Sequence, residues 1–315
     1  MSFLRKVIKN PNKLQRLIGL SLYQLNLLVQ VLKPLWENAE LERLGRPNRS
    51  RNPGGGHPYA LETIEEKIIA VFLYYKQYPT QEFLGVMIGT DQSTVSRLIK
   101  KMLPLIEEAA DPQLKNYLAQ AKEECKKQRM GSWDEFFSRH PDLVDISTDV
   151  TEQRCYRSQN YEQQKKYYSG KSKRHTIKTQ ISSSRRGQIL DVSVSYPGSV
   201  HDKTIIDTEK TVEKIDKRIP HRFDSGYQGI KSDYPNHYLI LPVKKPRGGT
   251  LTDLEKEHNK ANSKRRVKVE HGFSRIKKFR IIDNLFRQPL KLYNQTFRNV
   301  VSILNFKLQY PMLAM

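Results

Sequence analysis

The sequence predicts an α/β domain built on a mixed sheet flanked by helices, preceded by an all-helical domain. Three observations carry this. Apolar residues recur at helical spacing through the N-terminal third of the chain, with capping residues at the expected places. At Val144 the apolar period changes from that of a helix to that of a strand. From there the elements run as three strands, a helix, a strand, another strand, and helices. A chain of 315 residues accommodates two domains, and 37% hydrophobic residues supply their cores.

The elements follow in order. Leu20 to Trp36 reads as a helix opened by Ser21, and Leu61 to Tyr75 as a second, with Glu62, Glu65 and Glu66 at the positive end of its dipole. Between them Arg46 to Pro58, RPNRSRNPGGGHP, reads as a flexible basic loop. Thr80 to Ile88 forms a short helix, Gly89 and Thr90 a tight turn, and Asp91 caps a helix from Gln92 to Met102. This is the pattern of a helix-turn-helix near residues 80–102. The small polar residues opening its second helix, Gln92, Ser93, Thr94, Ser96 and Arg97, are placed to meet base edges or phosphates. A plain helical hairpin would share the pattern. The helical DNA-binding domain is drawn over 1–125 and a linker over 126–140, with Trp133, Phe136 and Phe137 packing onto the next domain.

The second domain is drawn over 141–315. Val144 to Val150, His175 to Ser182 and Gln188 to Ser195 read as an antiparallel meander, with a turn at Arg185 to Gly187. A helix follows from Asp202 to Lys214, short strands over Arg222 to Asp224 and Tyr238 to Val243, and a long helix from Asp253 past Lys277. The last helix, Tyr293 to Leu308, is apolar enough to pack on the sheet. This order is compatible with a ribonuclease-H-like fold.

Fifty-five Lys and Arg against thirty-three Asp and Glu give a net charge of +22, which favours a polyanionic partner. No apolar stretch reaches the roughly 20 residues that span a bilayer. The N-terminus lacks the apolar run of a signal peptide. Cys125 and Cys155 make neither a disulfide framework nor a zinc site, which predicts an intracellular, cytoplasmic protein.

Cleavage of a phosphodiester with divalent cations needs convergent carboxylates at strand ends or on a helix facing them. Asp149 follows an apolar strand, and alternation puts it on one face with Asp145 and Ser147; the pattern alone equally allows a turn cap. Asp224 sits where a short strand meets Ser225-Gly226, a setting common for turn formers. Glu270 lies in KRRVKVEHGFSRIKKFR. On a helix Arg266, Glu270, Phe273 and Lys277 fall within about 60° of one another. Arg266 and Glu270 could instead be a simple i,i+4 ion pair. Asp202, after His201 at a helix start, rivals Asp224. His175, His201 and His271 sit among cations, which suits DNA contact or packing better than metal. Lys165, Lys166, Lys171, Lys173, Arg174 and Lys178 form one basic segment, and Lys244, Lys245 and Arg247 another.

Four passages then act together: STDVTE at 147–152, YYSGKSKRHTIKTQ at 167–180, YPGSVHDKTI at 196–205 with DSGYQG at 224–229, and RRVKVEHGFSRIKKFRI at 265–281. With QSTVSRLI before them, the chain resembles a bacterial insertion-sequence transposase of the DDE class, in the branch related to Harbinger elements. The resemblance implies a ribonuclease-H-like catalytic domain using magnesium or manganese, two ions at a time. It implies cleavage at element ends followed by strand transfer, on double-stranded DNA of the ends and the target, by a homodimer at the nucleoid. Its three carboxylates fall on Asp149, Asp224 and Glu270, and its helical Arg and Lys on Arg266 and Lys277. Ser263 stands where the family has Tyr, and Val150 where it has Gly. A nuclease of the same fold without transposition, or a DNA-binding regulator, remains the alternative.

Overall fold

The computed structural model describes residues 3–45, 60–110, 114–127 and 132–311, without the side chains of 110, 114–116, 266, 268 and 269. The basic loop predicted over Arg46 to Pro58 lies outside the described residues. The helices are α1 (Phe3–Ile8), α2 (Pro11–Ile18), α3 (Leu22–Leu44), α4 (Ile64–Gln77), α5 (Gln81–Ile88), α6 (Gln92–Ala110), α7 (Leu114–Lys126), α8 (Trp133–Arg139), α9 (Tyr161–Tyr167), α10 (Asp202–Glu209), α11 (Ile230–Asp233), α12 (Asp253–Lys277), α13 (Arg280–Asp283) and α14 (Tyr293–Gln309). The strands are β1 (Ile146–Arg154), β2 (Tyr168–Ser169), β3 (Arg174–Ser184), β4 (Ile189–Val192), β5 (Tyr196–Pro197), β6 (His221–Arg222) and β7 (Leu239–Ile240). None of the described helices is long and apolar enough to cross a membrane.

The chain forms two compact units. One comprises Met1–Pro112, Lys278–Asp283 and Gln295–Met315; the other comprises Gln113–Lys277 and Asn284–Asn294. In the first unit α4 is buried almost all round, from Lys67 to Tyr75, because IIAVFLYY is apolar on every face. Capping boxes start α3 at Ser21 with Gln24 and α4 at Thr63 with Glu66, each satisfying two backbone donors. Phe297, Val300, Val301 and Leu304 of α14 are buried. Asn299 donates from Nδ2 to the Leu103 carbonyl at 2.8 Å and to Tyr75 Oη at 3.3 Å. The last helix, expected on the sheet, therefore packs from residue 295 onward within the helical unit. Helical periodicity shows that a face is buried, not what covers it.

In the second unit β1 pairs antiparallel with β3 along its whole length, from Ile146 opposite Ser184 to Arg154 opposite Thr176. β4 and β5 pair antiparallel with β3, β1 runs parallel to β6, and β6 parallel to β7. An antiparallel meander continued by two parallel strands beside its first member is the ribonuclease-H-like arrangement expected from the sequence. β1 runs four residues beyond its predicted end. Its polar tail is accommodated by partners: Glu152 accepts from Ser172 Oγ at 2.5 Å and from Thr176 Oγ1 at 3.1 Å, and Gln153 donates to the Asn284 carbonyl. Residues 114–126 and 133–139, partly assigned to a linker, instead build core: Ala121, Cys125 and Phe136 pack with Leu143, Ile146, Leu190, Ile215 and Ile219, and Trp133 and Phe137 lie against them. Helix α10 stops at Glu209, short of Lys214, where Lys210 adopts a left-handed conformation with φ 51°.

Candidate active site

The first two predicted carboxylates both follow the parallel pairing of β1 with β6. Ile146 lies opposite His221 and Ser147 opposite Arg222 on the parallel strand. Asp149 and Asp224 each stand two residues beyond the last paired positions, Ser147 and Arg222, and Asp224 follows the end of β6. Both side chains are half-buried. Asp149 accepts a hydrogen bond from the Val150 amide at 2.8 Å, and Asp224 one from the Ser225 amide at 2.6 Å. Asp224 also opens the turn Ser225–Tyr227, so the turn-former reading and the strand-end reading are both realised.

The same face carries a buried ionic cluster. Arg222 donates from Nε to Asp145 Oδ1 at 2.7 Å and from Nη1 to Asn262 Oδ1 at 2.9 Å. Arg265 approaches Asp145 Oδ2 at 3.6 Å. Helix α12 is thereby tied across β1 and β6 on the face that holds Asp149 and Asp224. Glu270 and Lys277 of this helix are exposed, and the side chain of Arg266 lies outside the described residues.

Among the described residues no three His, Cys, Asp or Glu side chains are gathered closely enough to hold a metal ion. Glu270 thus does not stand in one cluster with the two aspartates. Carboxylates are nonetheless the hard oxygen donors that magnesium or manganese takes. Asp149 and Asp224 suit such an ion by their donor chemistry, and the helix bearing Glu270 covers the same sheet face.

The rival Asp202 stands elsewhere. Lys178 donates to its Oδ1 at 2.8 Å and to the Val200 carbonyl at 2.8 Å, and lies 3.6 Å from Glu152. Lys178 is paired with Glu152 across β3 and β1, and strand alternation puts both on the face opposite Asp149. The Lys178 ammonium thus lies against one carboxylate oxygen of Asp202. Lys178 itself, expected to grip phosphate, is buried, with its charge met by two carboxylates. Burial raises the pKa of Glu152, but hydrogen bonds from Ser172, Ser169 and Thr176 and the Lys178 charge outweigh it and hold the carboxyl below its ordinary value.

The remaining basic candidates face solvent. Lys171, Lys173 and Arg174 are exposed in the turn between β2 and β3, beside exposed Lys165, Lys166, Tyr161 and Tyr168. His175 is half-buried edge-on to Tyr168, His201 caps α10, and His271 is exposed. In the helix-turn-helix, Gln92, Ser93 and Arg97 are exposed and Thr94 and Ser96 half-buried. Asp91 caps α6, accepting from Ser93 Oγ at 2.6 Å and the Thr94 amide at 2.8 Å; these bonds hold its carboxyl well below the usual range. Arg97 folds back onto Ser93 Oγ at 2.9 Å. Gly85 lets the two helices close: a Cβ there would lie 2.8 Å from the Thr90 carbonyl oxygen.

Two groups around the site were not anticipated. Asp145 shares the face of Asp149, but its partners Arg222 and Arg265 are remote in sequence. On the opposite face His221, fully buried, contacts Thr148 Oγ1 at 2.7 Å, and Thr148 contacts Ser182 at 2.6 Å.

Fold and site define a class: a ribonuclease-H-like domain with carboxylates just past a parallel strand pairing, accompanied by a helix-turn-helix. The family model described as DDE superfamily endonuclease matches residues 148–305, and that described as helix-turn-helix of DDE superfamily endonuclease matches 59–112. The chain belongs to the DDE superfamily endonucleases. It is 27% identical over 297 residues, 94% of each chain, to a probable transposase for insertion sequence element IS702 from Microchaete diplosiphon. Among solved structures it matches the Mos1 transposase paired-end complex with left transposon end, at 9% identity and a TM-score of 0.21, covering 88% of this chain and 85% of that one. The Mos1 strand transfer complex matches at 9% identity and a TM-score of 0.23, covering 89% and 94%.

Proposed function

We propose that this protein is a transposase that cuts DNA at the ends of an insertion sequence and joins those ends to a target. The observation that carries the reading is the parallel pairing of β1 with β6, which Asp149 and Asp224 each follow by two residues, inside a region matched by a DDE endonuclease model. Asp149 and Asp224 hold divalent magnesium or manganese, two ions at a time, and Glu270 completes the ligand set from α12. Such ions, when bound, activate the attacking oxygen and stabilise the leaving one. The chain's own groups bind and orient the DNA. Lys171, Lys173 and Arg174, with Arg266 and Lys277, contact phosphates, which gives affinity without sequence information. Gln92, Ser93, Thr94, Ser96 and Arg97 at the start of α6 select the element ends. Water attacks in cleavage and a DNA 3′-hydroxyl in joining, and a homodimer brings two ends together.

The test uses purified protein, labelled end DNA and a plasmid target, with magnesium or manganese. Nicked and joined products are expected from the wild type, and neither from Asp149→Ala, Asp224→Ala or Glu270→Ala, all of which still bind the ends. Nicking that persists in Asp149→Ala overturns the site. Nicking without joined products makes the protein a nuclease of this fold, and DNA binding without nicking in any metal makes it a regulator.

A further inference from the structure

We infer that Asp145, Arg222 and Asn262 form a positioning clamp that sets helix α12 against the two aspartate-bearing strands. The inference rests on the site proposed above and names residues that this site does not include.

The argument begins with placement. Each of three elements gives one member to the cluster and one carboxylate to the proposed site. Asp145 precedes Asp149 by four residues at the entry to β1. Arg222 precedes Asp224 by two at the end of β6. Asn262 precedes Glu270 by eight, about two turns of α12. Arg222 is the hub, with one donor on Asp145 and another on Asn262.

Burial shows that the cluster is more than a surface ion pair. Asp145, Arg222 and Asn262 are 6%, 5% and 2% exposed. A buried ion pair contributes little net stability compared with apolar residues of similar size, because desolvation offsets its attraction. Asn262 adds a further cost, since its Nδ2 is buried without a hydrogen-bond partner among the described residues. What such a group supplies is direction. A guanidinium fork accepts only a narrow set of angles, whereas apolar side chains allow a helix to slide or turn on a sheet. Farther along α12, Arg275 packs close to Gly187, where a Cβ would lie 2.9 Å from its Nη1, without a hydrogen bond from that nitrogen among the described residues. Glu270 lies between the cluster and this contact. Release of the first lets α12 shift, and Glu270 shifts with it.

The test compares wild type with Asn262→Leu and with the double replacement Asp145→Leu/Arg222→Met, which removes the charges together. Thermal unfolding, hydrogen exchange of the metal-free protein, Mn2+ binding by paramagnetic resonance and nicking of end DNA are measured on each. The expected result is an unfolding midpoint at or above that of wild type. Amide exchange over residues 262–275 rises about tenfold while β1 is unchanged, Mn2+ binding weakens, and the nicking rate falls at least tenfold with end binding retained. Exchange, Mn2+ binding and nicking all at wild-type levels in either folded variant overturn the clamp. So does a loss of nicking that only follows a lowered unfolding midpoint. Asp149→Ala separates the two readings: if it still nicks, the site is wrong; if it is inactive while Asn262→Leu nicks normally, the clamp alone is wrong.

Discussion

Acid should weaken the sheet unit through His221. This side chain is fully buried on β6, with its ring centroid 4.1 Å from that of Phe223 and one ring nitrogen on Thr148. Its Nδ1 has no hydrogen-bond partner among the described residues. Burial first, and then the charge of His237, push its pKa from 6.5 down to about 3. A histidine with a depressed folded pKa is held neutral by the fold, while the unfolded chain takes up the proton. Its contribution is therefore intact above the unfolded value of 6.5, declines as pH falls through it, and reaches its full penalty below about 3. Linkage over that window gives a loss of about 3 kcal/mol between pH 7 and pH 4, and about 5 kcal/mol at the acid limit. The perturbation is His221→Phe, which removes the titration and keeps an aromatic ring. Urea unfolding of both proteins at several pH values reads the effect. With a slope of about 3 kcal/mol per molar, the gap between the two midpoints should change by about 1 M from pH 7 to pH 4. Other titrating groups act on both proteins alike. Midpoints that fall in parallel would refute the argument, as would an imidazole resonance assigned to His221 that titrates near its ordinary value.

The other expectations concern packing and charge. Gly85→Ala should cost about 1–3 kcal/mol in the first unit, because the added carbon meets the backbone oxygen of Thr90, which cannot swing aside. A drop in unfolding midpoint together with weaker end binding checks this. Lys178→Met should destabilise by about 3–5 kcal/mol by stranding Asp202 and Glu152, and Asp202→Asn should recover part of it. Replacing Lys171, Lys173 and Arg174 by alanine should lower the dependence of log affinity on log salt by about 2.7, without changing preference between DNA sequences; fluorescence titration over a range of salt reads both.

Much of the fold was legible because it is local. Caps, turn residues and apolar period are short-range signals, and they place α5, β3 and α12 close to their observed ends and α6 at its start, although α6 runs on to Ala110, past the expected Met102. The helix-turn-helix needed only the turn at Gly89 and Thr90 and the cap at Asp91, in sequence order. The misses share one cause. The tail of β1 looked too polar for a strand because the groups that satisfy Glu152, namely Ser172 and Thr176, lie about twenty residues on. Lys178 looked like part of a basic stretch, and only its neighbours Asp202 and Glu152 reveal a buried ion pair.

For the site, the sequence by itself determined the residue types: two aspartates at strand ends, a glutamate on a long cationic helix, and a strong excess of positive charge for a polyanion. Only the tertiary structure decided how they are placed. Parallel pairing of β1 with β6 leaves Asp149 and Asp224 each two residues past the last shared register position, and Lys178, on the face opposite Asp149, takes Asp202 as its partner. Tertiary structure also decided that α14 closes the helical unit and that Arg222 joins Asp145 to Asn262. Such pairings depend on hydrogen-bond register and side-chain direction between segments far apart in the chain, and no short window of sequence carries either.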